Sequence, residues 1–132
     1  FIMKKFIITN LLLLTLLSLP STVSAFTGYR TYTNYNLYSA CYNNYTAKHA
    51  KETDNQYISN YVKKFTNTNK ATFWAADGNS KKISRTYDQQ VYSNQTIKLT
   101  TKKNKGSNVR LGMENYNQVA YTATVSGEVD FR

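Results

Sequence analysis

Nucleophilic catalysis in this chain would have to join its one cysteine, Cys41, to its one histidine, His49. A thiol becomes a strong nucleophile when a neighbouring imidazole takes its proton. These two residues are eight apart in the polar stretch CYNNYTAKH, and no recognisable motif surrounds the cysteine. They are also too few for a zinc site. Paired carboxylates are the second possibility, because two of them can cleave a glycosidic bond. Glu52 with Asp54 and Glu128 with Asp130 are each two apart, so on a strand each pair would share one face. A catalytic pair flanks its substrate from different elements, and this spacing reads instead as solvation or weak cation binding. Glycine-rich phosphate loops and nucleophile elbows are missing from the sequence. The expectation is a protein with no enzymatic activity, no cofactor and no metal.

Basic residues supply the remaining chemistry. They come partly as adjacent pairs, Lys63-Lys64, Lys81-Lys82 and Lys102-Lys103, with Arg85, Lys98, Lys105 and Arg110 nearby in sequence. Neighbouring strand residues point to opposite faces, so a pair in mid-strand would drive one ammonium into the core. The pairs are therefore expected at strand ends, edges or loops, where lysines also block edge-to-edge aggregation. Lys102, Lys103 and Lys105, in the loop KKNKGSN, together with Lys81, Lys82 and Arg85, form the candidate ligand-binding set.

The first residues bear on what those cations meet. From Met3 the chain runs through Lys4 and Lys5, an apolar stretch from Phe6 to Leu19, Pro20 and the small-residue ending STVSA. This is the pattern of a secretory signal peptide. The apolar stretch is interrupted by polar residues and is shorter than the roughly 18 residues of a membrane-spanning helix. Phe1 and Ile2 precede the expected start, cleavage is expected after Ala25, and residues 26–132 make one domain. Removing Lys4 and Lys5 from the 17 basic residues leaves 15 against seven acidic ones, a net charge of +8. Such an excess favours anionic partners, wall polymers or a membrane surface for an exported protein, with nucleic acid the lesser option. One cysteine allows no internal disulfide, so Cys41 is either free or links a dimer, and the oligomeric state stays open.

The mature segment is rich in Thr, Tyr and Asn, a composition of strands punctuated by turns. Residues 57–65, YISNYVKKF, alternate Tyr57, Tyr61 and Phe65 against Ile58 and Val62. A short strand over 71–75 leads to the turn Asp77-Gly78-Asn79, a hairpin signal. Further strands are expected over 82–87, 96–101, 108–115 (with Val109, Leu111 and Met113 in alternation), 119–125 and 128–131, the last two parted near Ser126-Gly127. Residues 46–56 lack an apolar stripe and read as a loop or single turn. Seven or eight short strands imply an antiparallel β-sandwich or small barrel.

The stretch YRTYTNYNLYSACYNNY, residues 29–45, holds six of the 12 tyrosines. Strand parity sets Tyr29, Tyr35 and Tyr45 against Tyr32, Tyr38 and Tyr42, which builds no single aromatic row. Some of these rings are expected to cover the core and others the outer face. Phe73 and Trp74 likewise point opposite ways on their strand, one inside and one covering a surface.

TFWAADGNSKKIS, NVRLGMENYN and VSGEVDF together resemble stretches of a family of small secreted Gram-positive bacterial proteins, grouped only as a domain of unknown function. The resemblance spans about residues 57–132 and implies an exported, mostly β protein with no established activity. Where that family often has an aromatic residue near its end, this chain has Val129. Within the motif, Gly112 is expected to permit a bulge or a close approach of chains, and Arg110 and Glu114 to form an ion pair. The reading is a non-enzymatic cationic protein that binds anionic cell-envelope components. Alternatives are a bacteriocin-like antagonistic toxin and a hydrolase of wall polymers or glycans.

Overall fold

A computed structural model describes residues 28–132; the expected signal segment and its cleavage site lie outside them. Nine strands run β1 (Tyr29–Leu37), β2 (Asn44–Tyr45), β3 (His49–Ala50), β4 (Tyr57–Thr66), β5 (Ala71–Asp77), β6 (Tyr87–Gln89), β7 (Asn94–Lys98), β8 (Asn108–Asn115) and β9 (Ala123–Asp130). They form two antiparallel sheets. One has the order β1-β9-β4-β7 and the other β2-β8-β5-β6, with β3 also on β8. The protein is thus an all-β sandwich, with more strands than turn spacing alone suggests because β2 and β3 are two-residue pieces of 46–56 and its approach. A 3-10 turn at Ser39–Cys41 is the only helical element among the described residues.

Period-two patterning explains the core. Val109, Leu111 and Met113 of β8 turn inward, fully buried, and meet Ile58, Val62, Ile97, Val125 and Val129 from the other sheet. On β5, Ala71, Phe73 and Ala75 join this cluster, which leaves Trp74 on the opposite face. Val129 is buried there too, so the last strand packs without the aromatic residue of the resembling family.

Several expected elements are corrected. β9 runs unbroken through Ser126-Gly127. Gly127 is there because a side chain would collide with the Tyr61 backbone oxygen and the Tyr32 hydroxyl. Both neighbours of β9 shift register opposite this point, β1 between Tyr32 and Tyr35 and β4 between Val62 and Lys64. A bulge flips the parity of everything beyond it. Tyr32 and Tyr35 therefore both turn inward, edge to face with centroids 5.8 Å apart, and Phe65 packs on the core on the same side as Val62. Lys63-Lys64 sits near the end of β4, past the last β7 pair at Tyr61 and with β9 as its one strand neighbour, and the bulge leaves both side chains exposed.

The expected strand over 82–87 is mostly absent. Only single bridges form at Lys82 and Ser84 before β6 begins. The Ser84 hydroxyl accepts the Ala75 N–H at 2.8 Å and donates to the Arg85 carbonyl at 2.7 Å, replacing ladder bonds by side-chain bonds. The strand expected over 96–101 begins earlier and ends at Lys98, with Leu99 bridging Ser84.

Candidate anion-binding end

Antiparallel pairing sorts the connections to two ends of the sandwich. Tyr29, Tyr57, Asp77, Lys98, Val109 and Asp130 mark one end; Leu37, Thr66, Ala71, Gln89, Asn94, Asn115 and Ala123 mark the other. The segments 51–56, 78–86 and 99–107 all belong to the first end, and the last two carry all six candidate cations, with Arg85 just before β6.

The hairpin after β5 positions Lys81. Asp77 Oδ1 accepts the backbone N–H groups of Asn79 and Lys81, each at 2.9 Å. Ser80 adopts a φ of 65°, completing a three-residue turn of the kind that closes hairpins. The carboxyl of Asp77 is held below its usual range, first by the Lys81 backbone hydrogen bond and then, among lesser contributions, by the charges of Lys103 and Lys81. The Lys48 stem lies beside Gly78 as well.

The loop 99–107 is fixed from the other side. The Gln56 side chain donates to the Lys103 carbonyl at 2.9 Å and accepts its N–H at 2.8 Å. Asp54 accepts the Lys105 N–H at 2.8 Å, and Gly106 N–H donates to the Lys51 carbonyl at 2.8 Å. These bonds occupy backbone and leave the ammonium groups outside. Lys48, Lys81, Lys102 and Lys105 are exposed and Lys103 half-exposed, and none of the five takes part in an ion pair among the described residues.

Lys51 was not legible as special, because nothing in TAKHAKETDNQ marks one lysine as buried. Its side chain is almost fully enclosed and donates to the backbone oxygen of Arg132. Burial lowers the ammonium pKa, and the charges of Asp130 and Asp54 work against that shift.

Lys82 and Arg85 do not join the group at Asp77. Lys82 leaves the hairpin on the outer face of its sheet, Nζ 4.5 Å from the Trp74 ring centroid. Arg85 is exposed further along, before β6. Trp74 lies across Gly112, whose missing Cβ is the space the indole fills. The close approach expected at Gly112 is thus one of ring to backbone, with no bulge. Tyr45 closes the cluster edge-on to Trp74 at 6.0 Å, and Arg110 covers Tyr45 at 5.5 Å.

The ion pair expected between Arg110 and Glu114 does not form. Four residues along a strand separate them by about 13 Å, with the Trp74–Gly112 contact between. Arg110 donates instead to the Thr46 carbonyl at 2.7 Å and to Ser80 Oγ at 2.8 Å. Removing the Lys82 ammonium in Lys82→Ala should uncover the indole. We expect a shift of tryptophan emission to longer wavelength and a stability loss of no more than about 1 kcal/mol; an unmoved spectrum would mean the lysine does not cover the ring.

The residues weighed for catalysis are held apart or otherwise engaged. His49 pairs with Val109 and stacks on Phe131 at 4.9 Å, while Cys41 precedes Asn44, the partner of Met113 near the far end of β8. Burial and Arg30 lower the imidazole pKa, against the opposing charge of Glu52. Glu128 pairs with Lys63, Asp130 with Arg132 at 2.7 Å, and Glu52 with Arg30 at 3.6 Å. No family model matches the chain, and no curated protein matches it.

Proposed function

We propose that this is a non-enzymatic binding protein of the cell exterior that docks on anionic envelope polymers through its lysine end. The antiparallel pairing that brings the separate loops 78–86 and 99–107, with their exposed lysines, to one end of the sandwich carries this reading. Lys48, Lys102 and Lys105 enlarge the same positive surface, and Tyr29 and Tyr57 are the exposed rings at that end. A fixed loop scaffold with free ammonium groups suits repeated phosphate or carboxylate charges along a polymer, because each lysine acts as a separate point charge.

Cosedimentation of residues 26–132 with purified cell walls, with and without their anionic polymers, tests the proposal over a salt series. Binding should require those polymers and fade as salt shortens the screening length to below about 8 Å. Replacing Lys102, Lys103 and Lys105 together by Gln should weaken binding roughly a hundredfold, at about 1 kcal/mol per lysine near an anionic surface. Salt-insensitive binding, or none, would contradict it.

A further inference from the structure

The opposite end of the sandwich has a different chemistry. Its four connections, 38–43, 67–70, 90–93 and 116–122, contain five of the 12 tyrosines and no Asp or Glu. All five rings, those of Tyr38, Tyr42, Tyr92, Tyr116 and Tyr121, are exposed, Tyr92 by 75% and Tyr42 by 69%. The connections touch in series. Ala40 N–H donates to the Val119 carbonyl at 3.0 Å, and Tyr116 N–H to the Lys70 carbonyl at 3.3 Å. The Asn117 amide reaches Thr68 and Asn69 at 3.2 and 3.3 Å. A groove of about 270 Å³ then lies between 67–70 and 90–93, lined by Lys64, Phe65, Asn69 and Tyr92 among others.

The backbone also holds Tyr92 outward. Its φ of 62° lies in the left-handed region, which costs a bulky residue free energy and is cheaper for Gly or Asn. The Tyr92 N–H is tied to the Val62 carbonyl at 2.8 Å, which fixes the turn. Strain that presents a ring to solvent points to use of that ring.

We infer that the tyrosine end is a second binding face, for a glycan chain bearing acidic sugars. Phenol faces stack on sugar rings, and the amides of Asn43, Asn69 and Asn117 meet hydroxyl groups as both donors and acceptors. Lys64 in the groove, and Lys70, 4.1 Å over the Tyr116 ring, meet carboxylates, and no acidic residue of these loops repels them. Tyrosine and asparagine supply rigid contact area and adaptable hydrogen bonds in other loop-built binding faces. A lipid surface fits less well, because such anchors use Trp, Phe and Leu, whereas Val91 is the one large aliphatic side chain exposed at this end. With lysines at the other end, the protein would bridge two polymers.

The test uses the Lys102→Gln, Lys103→Gln, Lys105→Gln chain, in which binding at the lysine end is weakened roughly a hundredfold. Its migration is followed in gels containing polygalacturonate, hyaluronate or uncharged dextran, alongside flotation with phosphatidylglycerol vesicles. We expect retardation by an acidic polysaccharide and at least a tenfold weakening in Tyr92→Ala and Tyr121→Ala, with circular dichroism unchanged. No retardation by either acidic polymer, equal retardation without the tyrosines, or flotation with vesicles in its place would overturn the inference. Loss of wall binding in the same lysine variant bears only on the lysine end, so the two readings fail separately.

Discussion

Gly127→Ala should cost at least about 3 kcal/mol and lower the thermal midpoint by more than about 12 °C. Gly127 is buried mid-strand in β9, between β1 and β4. A Cβ there would meet the Tyr61 backbone oxygen on one side and the Tyr32 phenol on the other. Neither can retreat. The oxygen belongs to a central strand, and the Tyr32 hydroxyl donates to Asn60 at 2.8 Å inside the core. Overpacking of a closed site costs about 1–3 kcal/mol even where a side chain can adjust, and here backbone must move. Gly106 is the control. It has a φ of 89° but nothing within 4 Å of its would-be Cβ, so Gly106→Ala should cost about 1–2 kcal/mol, from backbone strain alone. Urea denaturation of both variants decides the matter: equal midpoints would mean that Gly127 does not set the spacing of the sheet.

That one residue explains much of what sequence pattern could and could not reveal. β8 was legible because it pairs in regular register with β5 from Val109 to Asn115, so alternation and burial coincide. The parities of Tyr35 and Phe65 were not legible. Each lies just beyond a bulge, and each bulge faces Ser126-Gly127, over 60 residues away in sequence. A local period of two carries no trace of such a partner. Lys63-Lys64 keeps both ammonium groups out of the core through the bulge, on the stretch of β4 that has lost its β7 neighbour. The loop positions of the lysines were half legible: charge and turn signals put Lys81, Lys102, Lys103 and Lys105 in loops, where they lie. Pattern alone could not show that Asp77 ties its own hairpin, that Trp74 diverts Lys82, or that Lys51 is buried. Tyr29 is exposed at the lysine end, and the other five tyrosines before residue 46 serve three uses. Tyr32 and Tyr35 build core, Tyr45 covers Trp74, and Tyr38 and Tyr42 join loops that only the fold brings to Tyr92, Tyr116 and Tyr121.

Asn60→Leu should destabilise the protein by about 4 kcal/mol, because it breaks a polar chain that joins the two sheets through the core. Asn60 of β4 is fully buried. Its Oδ1 accepts the Tyr32 hydroxyl at 2.8 Å and its Nδ2 donates to Gln89 Oε1 at 2.7 Å. Gln89, on β6 of the other sheet, returns a bond to the Asn60 carbonyl at 3.1 Å and reaches the Ser93 carbonyl and hydroxyl, each at 3.2 Å. Leucine fills similar volume but leaves the Tyr32 hydroxyl and the Gln89 oxygen unpaired, at about 1–3 kcal/mol each. Tyr32→Phe removes a donor and leaves one orphaned acceptor, so its cost should be nearer 1–2 kcal/mol. Combined, the two changes should cost about 1–2 kcal/mol less than their sum, since the second removes a group already orphaned by the first. Strict additivity would show that the two side chains do not act as one network. Alkaline titration gives an independent reading. Burial raises the Tyr32 phenol above its ordinary 10.0, so the unfolded chain loses this proton first and stability falls as pH rises above 10. Tyr32→Phe should flatten that alkaline fall, whereas a merely structural loss would leave its slope unchanged.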